Sequence, residues 1–222
     1  MQCDEIWTYV YAKQKNVPRP LQGTWGYGDA YTWVAINSES KLVISWLLGQ
    51  RTAECARVFM HDLRDRVAGR IQLSTDGLSF YRDAVEIAFH GDADFGQLIK
   101  QYQSVVHEDE VRYSPPICTG AKRRRVSGHP VRDLISTSHV ERQNLTMRMK
   151  MRRFTRLTNA FSKKVENLEW ALALHFIHYN FCRVHQTLRT TPAISAGIAS
   201  HVWSVHDILT MAEGIEELSK AS

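Results

Sequence analysis

Long apolar runs and paired cysteines are the features that the sequence most clearly lacks. No stretch approaches the about 18 consecutive apolar residues of a membrane-spanning helix, so none is predicted. The opening residues, MQCDEIWTYVY, lack a basic start followed by an apolar core, so no signal peptide is predicted. The four cysteines, Cys3, Cys55, Cys118 and Cys182, are far apart without a C-x-x-C pair. This excludes a disulfide framework or a zinc site and favours reduced thiols in a cytosol or nucleus.

Internal repeats and low-complexity tracts are also absent. A hydrophobic content of 44% with 10% aromatic residues is typical of a folded chain. The length of 222 residues suits one substantial domain with a short appendage. We predict a core over residues 1–184, with a basic loop at about residues 108–136. A tail over residues 185–222 follows, with one short helix at roughly Val205–Leu218.

Acidic residues are scarce between Gly120 and Arg156. That segment has eleven Lys and Arg against Asp133 and Glu141, a net charge of +9. The whole chain has a net charge of +5, which leaves −4 for the rest (+5 minus +9). Such an uneven distribution is typical of a protein that binds a polyanion. A solvated charged face has the same composition, so this alternative stays open.

Five stretches have the β-branched and aromatic content of strands. They are residues 3–12, Tyr31–Ile36, Leu42–Leu48, Ile71–Thr75 and Gln97–Val106. The first three follow one another directly and predict a meander. Helices are predicted between the later ones, from an N-cap at Thr52 to Gly69 and over Ser79–Phe89. This order predicts an α/β fold with a mixed five-stranded sheet flanked by helices.

Two further helices are predicted in the second half of the chain. The helix over Phe161–Arg183 is apolar on two opposite sides, which predicts a position between two layers. The helix over Ser136–Phe154 has a narrow apolar stripe that predicts a buried face. That stripe consists of Val140, Met147, Met151 and Phe154. A second row beside it consists of Glu141, Leu145, Arg148 and Arg152.

Glu141 and Arg148 are two helical turns apart in that second row and point the same way. A carboxylate can hold a metal ion and an arginine can hold a phosphate, so this face suits both tasks. Ser138 and Glu141 also fit a capping box, in which Glu141 only completes the helix start. The helix alone does not decide between these roles.

Two aspartates are candidates to join Glu141. Asp4 lies near the start of the first predicted strand, and Asp76 follows the fourth, strands that can be neighbours in a mixed sheet. Three converging carboxylates with no lysine between them repel one another, and Mg²⁺ relieves the repulsion. Two ions about 3.5–4 Å apart would activate an attacking oxygen and stabilise the leaving oxygen of a phosphodiester. Asp4 as a strand-edge acid and Asp76 as a turn former before Gly77 are the ordinary alternatives.

Other polar and aromatic residues favour structural roles. Strand alternation predicts that Glu5 points to the sheet face opposite Asp4, and Asp83 is expected on a helix surface. His175 and His178 are one turn apart, but their apolar neighbours favour a packed helix over a zinc site. Trp7 is expected in the core.

Three phrases of the sequence resemble the DDE transposases of small bacterial insertion elements. They are CDEIWTYV at residues 3–10, STDGLSFY at 74–81 and HVERQNLTMRMKMRRFTRLTNAFSKKVENL at 139–168. That family shows an Asp-Glu-x-Trp strand, a Thr-Asp-Gly turn and a Glu-Arg-x-Asn-Leu helix ending in Phe-Ser-Lys. YNFCRVHQTLRTTPA at 179–193 is similar to the tail of many integrase-type cores. The resemblance thus covers about residues 3 to 193.

The resemblance implies an RNase H-like fold in which Asp4, Asp76 and Glu141 are the catalytic, metal-binding triad. The implied cofactor is Mg²⁺, for which Mn²⁺ can substitute. The implied activity is cleavage of DNA at element ends by water, followed by attack of the freed 3′-hydroxyl on target DNA. The implied partners are both DNAs and further copies of the chain, with no membrane, in the bacterial cytosol or nucleoid.

Arg148 falls where the family keeps a basic residue that contacts a DNA phosphate. The DNA-binding residues expected from the basic segment and this helix are Lys122, Arg123, Arg124, Arg125, Arg142, Arg148, Lys150, Arg152 and Arg153. Relatives also carry an N-terminal module that recognises element ends, and we expect it to be separately encoded or missing. Two alternatives remain: a non-catalytic DNA-binding protein derived from a transposase, and a nuclease of the same fold.

Overall fold

A computed structural model of the protein describes residues 1–103, 117–155 and 159–220. Six strands are described. They are β1 Gln2–Val10, β2 Gly28–Ile36, β3 Val43–Gly49, β4 Ile71–Thr75, β5 Ala93–Gln103 and β6 Ile117–Ser127. The helices are α1 Ala53–Asp65, α2 Phe80–Phe89, α3 Ser138–Lys150, α4 Val165–Ile177, α5 Pro192–Ser195 and α6 Val205–Lys220.

All six strands form one mixed sheet in the order β3-β2-β1-β4-β5-β6. The predicted meander is confirmed, because β1–β2 and β2–β3 are antiparallel pairs. β1 is parallel to β4, and β4 is parallel to β5. Helix α1 connects β3 to β4, and helix α2 connects β4 to β5. The first and fourth strands are therefore neighbours at the centre of the sheet.

The sixth strand corrects the sequence prediction of a five-stranded sheet. β6 contains Lys122–Arg125, which the sequence pattern assigns to a basic loop over residues 108–136. It pairs antiparallel with β5 along its length, and an edge strand tolerates charged side chains because one side faces solvent. Residues 104–116, which include parts of that loop and of the fifth predicted strand, lie outside the described residues.

Helices cover both faces of the sheet, which gives three layers. α1 and α2 pack on one face through a cluster that includes Trp33 and Phe59. α3 and α4 pack on the other face through a cluster that includes Ile6, Met147 and Leu172. Strand β1 contributes to both clusters because its alternate side chains point to opposite faces. Among the described residues, no helix combines the length and apolar character that crossing a bilayer requires.

The two helices of the second layer are shorter than predicted. α3 ends at Lys150 because the backbone of Met151 is extended, and a 3₁₀ turn over Arg152–Phe154 follows. Its apolar stripe is buried as predicted, with Val140 and Met147 fully inaccessible.

α4 ends at Ile177 and continues as a π-helical turn over His178–Cys182. The prediction that this helix lies between two layers is wrong for one side. Leu172 is buried against the sheet, but Trp170 and Leu174 are 69% and 61% exposed. The physical reason is that α4 belongs to an outer layer, so only one of its apolar sides meets the sheet.

Candidate active site

Asp4 and Asp76 meet where β1 passes the end of β4. The parallel register pairs Gln2 with Ser74 and Cys3 with Thr75, and the two aspartates are the next residue on each chain segment. Asp76 also has the ordinary role predicted for it, because its Oδ1 accepts a hydrogen bond from the Leu78 backbone amide at 2.9 Å. This turn holds the carboxylate at the end of the strand.

Glu5 belongs to the same group of carboxylates, contrary to the sequence prediction. The ligand atoms of Asp4, Glu5 and Asp76 all lie within 4.8 Å of one another. Alternation does put Glu5 on the Cys3 side of β1, but β4 ends at Thr75. Beyond that end, Asp76 is within reach of side chains from both faces of β1. Glu5 thus points to the sheet face predicted for it, and only the expectation that this face keeps it out of the site is wrong.

Two side chains fix Glu5 in place. Arg51 donates to its Oε1 at 2.7 Å, and the Tyr81 hydroxyl donates to its Oε2 at 3.1 Å. The Glu5 side chain is only 2% exposed. Burial and the negative charge of Asp76 raise the pKa of Glu5, while Arg51 lowers it. Arg51 thus compensates one of the negative charges of the cluster.

Glu141 lies on the other side of the same cavity, in the first turn of α3. Its carboxylate accepts a hydrogen bond from the Thr137 hydroxyl and an ion pair from Lys100, whose Nζ is 2.6 Å from Oε1. The capping box with Ser138 is not formed, because the helix has Thr137 as its N-cap and the backbone amides of Ser138 and Glu141 donate to the Ser136 hydroxyl and the Thr137 carbonyl. The expectation that no lysine lies among the carboxylates is also wrong.

The cavity between these groups has a volume of about 540 Å³. Its lining comprises four carboxylates, two cations, one amide and an apolar remainder. These residues are Asp4, Glu5, Asp76, Gly77, Leu98, Ile99, Lys100, Tyr102, Glu141, Asn144, Leu145 and Arg148. All three predicted triad residues and Arg148 thus line one cavity. They come from three segments far apart in sequence: β1, the turn after β4, and α3.

Asn144 connects α3 to Asp4. Its Nδ2 donates to Asp4 Oδ2 at 2.8 Å, and the side chain is largely buried. Its Oδ1 is buried and has no hydrogen-bond partner within the described part of the chain. A buried amide oxygen without a donor beside a carboxylate cluster is suited to a cation or to the water that a cation carries.

The electrostatics of the cluster favour a bound cation. Burial raises the pKa of Asp4 to about 8, and the negative charges of Glu5, Asp76 and Glu141 add to this shift. Negative charge on Asp4 is therefore costly unless a positive charge lies beside it. Clustered carboxylate oxygens with a spare amide oxygen are the hard donors that Mg²⁺ prefers. The donor set thus fits the cofactor predicted from the sequence.

The predicted DNA-binding residues of β6 do not share one surface. Register pairs Arg123 with Leu98 and Arg125 with Gly96, which puts them on the sheet side of Lys100 and α3. Arg123 there donates to the Ile135 carbonyl at 3.2 Å. Lys122 and Arg124 pair with Ile99 and Gln97 and so lie on the opposite side. The pleat of the strand therefore divides the basic run into two pairs.

The basic residues of α3 and the following turn are also divided. Arg148 lines the carboxylate cavity with Leu145, as the predicted second row requires. Arg142 is exposed on α3. Lys150, Arg152 and Arg153 line a different cavity of about 1000 Å³, beside α4 and α6. Arg152 leaves the predicted row because α3 ends before it.

Sequence reasoning missed three residues of the site, namely Glu5, Lys100 and Asn144. Asn144 had a usable signal, because it lies one turn after Glu141 and so on a neighbouring part of the helix surface. Lys100 had none, since its ion pair with Glu141 joins segments 41 residues apart. Glu5 was excluded because alternation puts it on the face opposite Asp4, but beside the end of β4 side chains from both faces reach the same site.

The cavity combines a carboxylate cluster suited to a divalent cation with an arginine suited to a phosphate. No protein-family model matches the chain, and no curated protein matches it.

Proposed function

We propose that the protein is a metal-dependent DNA transposase, which cleaves DNA at the ends of an insertion element and joins the freed strands to target DNA. The observation that carries this proposal is the convergence of Asp4, Asp76 and Glu141 with Arg148 on one cavity. Sequence motifs alone, without any spatial information, single out the same four residues. Coincidence is a weak explanation for four predicted residues that meet in one place.

The proposed cofactor is Mg²⁺, with Mn²⁺ as a substitute. Asp4 and Asp76 would hold it, with Glu5 in the same oxygen cluster and Glu141 across the cavity. When bound, the metal would activate the attacking oxygen and stabilise the charge of the leaving oxygen of a phosphodiester. Phosphoryl transfer of this kind depends mainly on alignment and charge neutralisation, which an open cavity with fixed carboxylates supports.

The remaining side chains would align the reacting groups. Asn144 orients the Asp4 carboxylate through its hydrogen bond, and Arg51 and Tyr81 hold Glu5. Arg148 would bind a phosphate of the DNA backbone next to the carboxylates. Arg123 and Arg125, on the same side of the sheet, would bind neighbouring phosphates. Such contacts position DNA without selecting its sequence.

An RNase H-like fold is part of the proposal. The strands β3-β2-β1-β4-β5, with helices on both faces, agree with the mixed five-stranded sheet expected of that fold. β6 would be an addition at the edge. The position of Asp4 in one central strand and of Asp76 at the end of its neighbour supports the same assignment.

A plasmid-nicking assay tests the proposal. Purified protein should convert supercoiled plasmid to open circles with Mg²⁺ or Mn²⁺, and EDTA should stop the reaction. Asp76→Asn should reduce the rate by at least about 10³-fold, because a metal ligand is removed. Asp83→Asn is the matched control, since Asp83 is an exposed acid on α2 and should keep wild-type activity.

The products distinguish the proposal from its alternatives. Joined products from a labelled duplex with a 3′-hydroxyl end and a target plasmid would support strand transfer. Metal-dependent nicking without joined products would indicate a nuclease instead. DNA binding with no nicking under any metal condition would contradict catalysis and favour a binding protein.

A further inference from the structure

Lys100 is placed to act on the same cavity from the β5 side. It pairs with Ala121 of β6, and its side chain points to the sheet face on which α3 packs. Its Nζ lies 2.6 Å from Glu141 Oε1, and its side chain is 30% exposed. It lines the cavity together with Asp4, Asp76 and Arg148. The ammonium group is thus inside the site and not on a remote surface.

The ion pair competes with the metal role proposed for Glu141. Oε1 of Glu141 already accepts from Lys100 and from the Thr137 hydroxyl. A carboxylate oxygen that coordinates a cation cannot keep an ammonium at hydrogen-bond distance on the same lone pairs. Coordination of a cation through Oε1 of Glu141 would therefore release Lys100 into the cavity.

The released ammonium would be a cation near neutral pH, because the ordinary pKa of a lysine side chain is about 10.4. A DNA phosphate that lies beside both the metal and the released ammonium would attract both, which would offset the repulsion between the two cations.

We propose that Lys100 holds Glu141 in the metal-free protein and binds a phosphate of the DNA once a metal takes Glu141. This proposal rests on the proposed function, because it assumes that the cavity receives DNA. Lys100 would then neutralise the substrate from β5 while Arg148 does so from α3. The two cations would flank the phosphate on opposite sides of the carboxylates.

Two binding measurements on Lys100→Gln test the proposal in opposite directions. Calorimetric titration with Mn²⁺ alone should show metal binding about two- to fivefold tighter, because a competing ion pair is gone. Anisotropy of a labelled duplex in saturating Ca²⁺, with its integrity checked on a gel, should show binding about tenfold weaker. The slope of log affinity against log salt concentration should become shallower by about 0.9, the value for one bound phosphate.

Three further variants complete the design. Lys100→Arg keeps the charge and should restore duplex affinity to within about threefold of wild type. Lys15→Gln removes one charge from an exposed lysine beyond the far end of β1 and should match wild type in both titrations. Lys100→Met keeps the apolar stem of the side chain. If thermal melting shows that Lys100→Gln is unfolded, the same two binding measurements are made on Lys100→Met instead.

The outcomes separate this proposal from the proposed function. Duplex affinity of Lys100→Gln within twofold of wild type would overturn the phosphate role. Metal affinity that is unchanged or weaker would overturn the competition for Glu141. Either result in a protein that nicks plasmid with Mg²⁺ would leave the proposed function intact. Absence of metal-dependent nicking by the wild-type protein would instead overturn the proposed function.

Discussion

At the scale of single residues, a few buried polar groups have environments that local sequence does not reveal. Asp4 is held by Asn144 from another element, and Glu5 is held by Arg51 and Tyr81. Asp4, Asp76, Glu141 and Arg148 could be predicted because they lie in the phrases that resemble the DDE transposases, whereas periodicity alone left their roles open. Their partners could not, because each partner comes from a distant segment and a long-range contact leaves no periodic signal.

His175 is a second buried polar group, on α4 and away from the carboxylates. Burial lowers its pKa to about 4, with smaller contributions from His178 and Arg183. Its Nε2 is buried and, within the described residues, has no hydrogen-bond partner. Its ring contacts Phe176 and Tyr179. The packed helix expected for this histidine is thus what the structure shows.

His175 should make the protein sensitive to acid. Its pKa is lower in the folded than in the unfolded protein, so the unfolded protein binds more protons between about pH 6.5 and pH 4. The free energy of unfolding should therefore fall across this range as pH decreases, by at most about 3 kcal/mol from this group. His175→Phe should show a smaller fall in urea unfolding over the same range. Equal falls in both proteins would contradict the prediction.

At the scale of elements, the strands and helices that were predicted correctly are those whose apolar residues recur at a regular interval. The strands of the meander have the alternating pattern of a sheet, and the buried stripe of α3 has helical spacing. Both elements are found in the structure. β6 was missed because four consecutive basic residues hide any alternation of polar and apolar positions. Its strand conformation comes from pairing with β5, and no single-sequence pattern contains that information.

The division of the basic run gives β6 a testable orientation. Arg123 and Arg125 lie on the side of the carboxylate cavity, and Lys122 and Arg124 lie on the other. Duplex affinity should therefore fall more in Arg123→Gln/Arg125→Gln than in Lys122→Gln/Arg124→Gln. The salt slope should decrease by about 0.9 for each DNA phosphate that the variant no longer binds.

The two double variants remove equal charge, so they control for one another. Anisotropy titrations at several salt concentrations would measure both the affinity and the slope. Equal reductions in the two variants would show that the basic residues act only through total charge. A larger reduction from Lys122 and Arg124 would place the DNA on the α2 side of the sheet.

At the scale of the whole molecule, the site lies at the centre of the sheet and holds carboxylates close together there although their negative charges repel one another. Asp4 lies in β1 and Asp76 directly follows β4, the adjacent parallel strand at the centre of the sheet. The neighbouring helices fix these carboxylates close to one another, although their charges oppose it. If the proposed cation binds there, we expect its binding to be coupled to the folding of the central strands.

This coupling predicts a link between metal and thermal stability. Mn²⁺ at about one hundred times its dissociation constant should stabilise the folded protein by about 2.7 kcal/mol. For a chain of this size, that is a rise in Tm of roughly 5–10 °C, measurable by differential scanning fluorimetry. Asp76→Asn should raise Tm in EDTA by a few degrees, because one repelling charge is gone, and should abolish the Mn²⁺ effect. Equal Mn²⁺ shifts in both proteins would indicate that the metal binds elsewhere.

The basic edge strand also affects how the molecules behave at high concentration. An edge strand exposes unpaired amide and carbonyl groups, which can pair with the edge of another molecule and start aggregation. On β6, Lys122–Arg125 give this edge four like charges, so two such edges repel. We therefore expect the residues proposed to bind DNA also to keep neighbouring molecules from joining their sheets. High salt or bound polyanions would screen these charges, so that edges of neighbouring molecules could pair and form fibres.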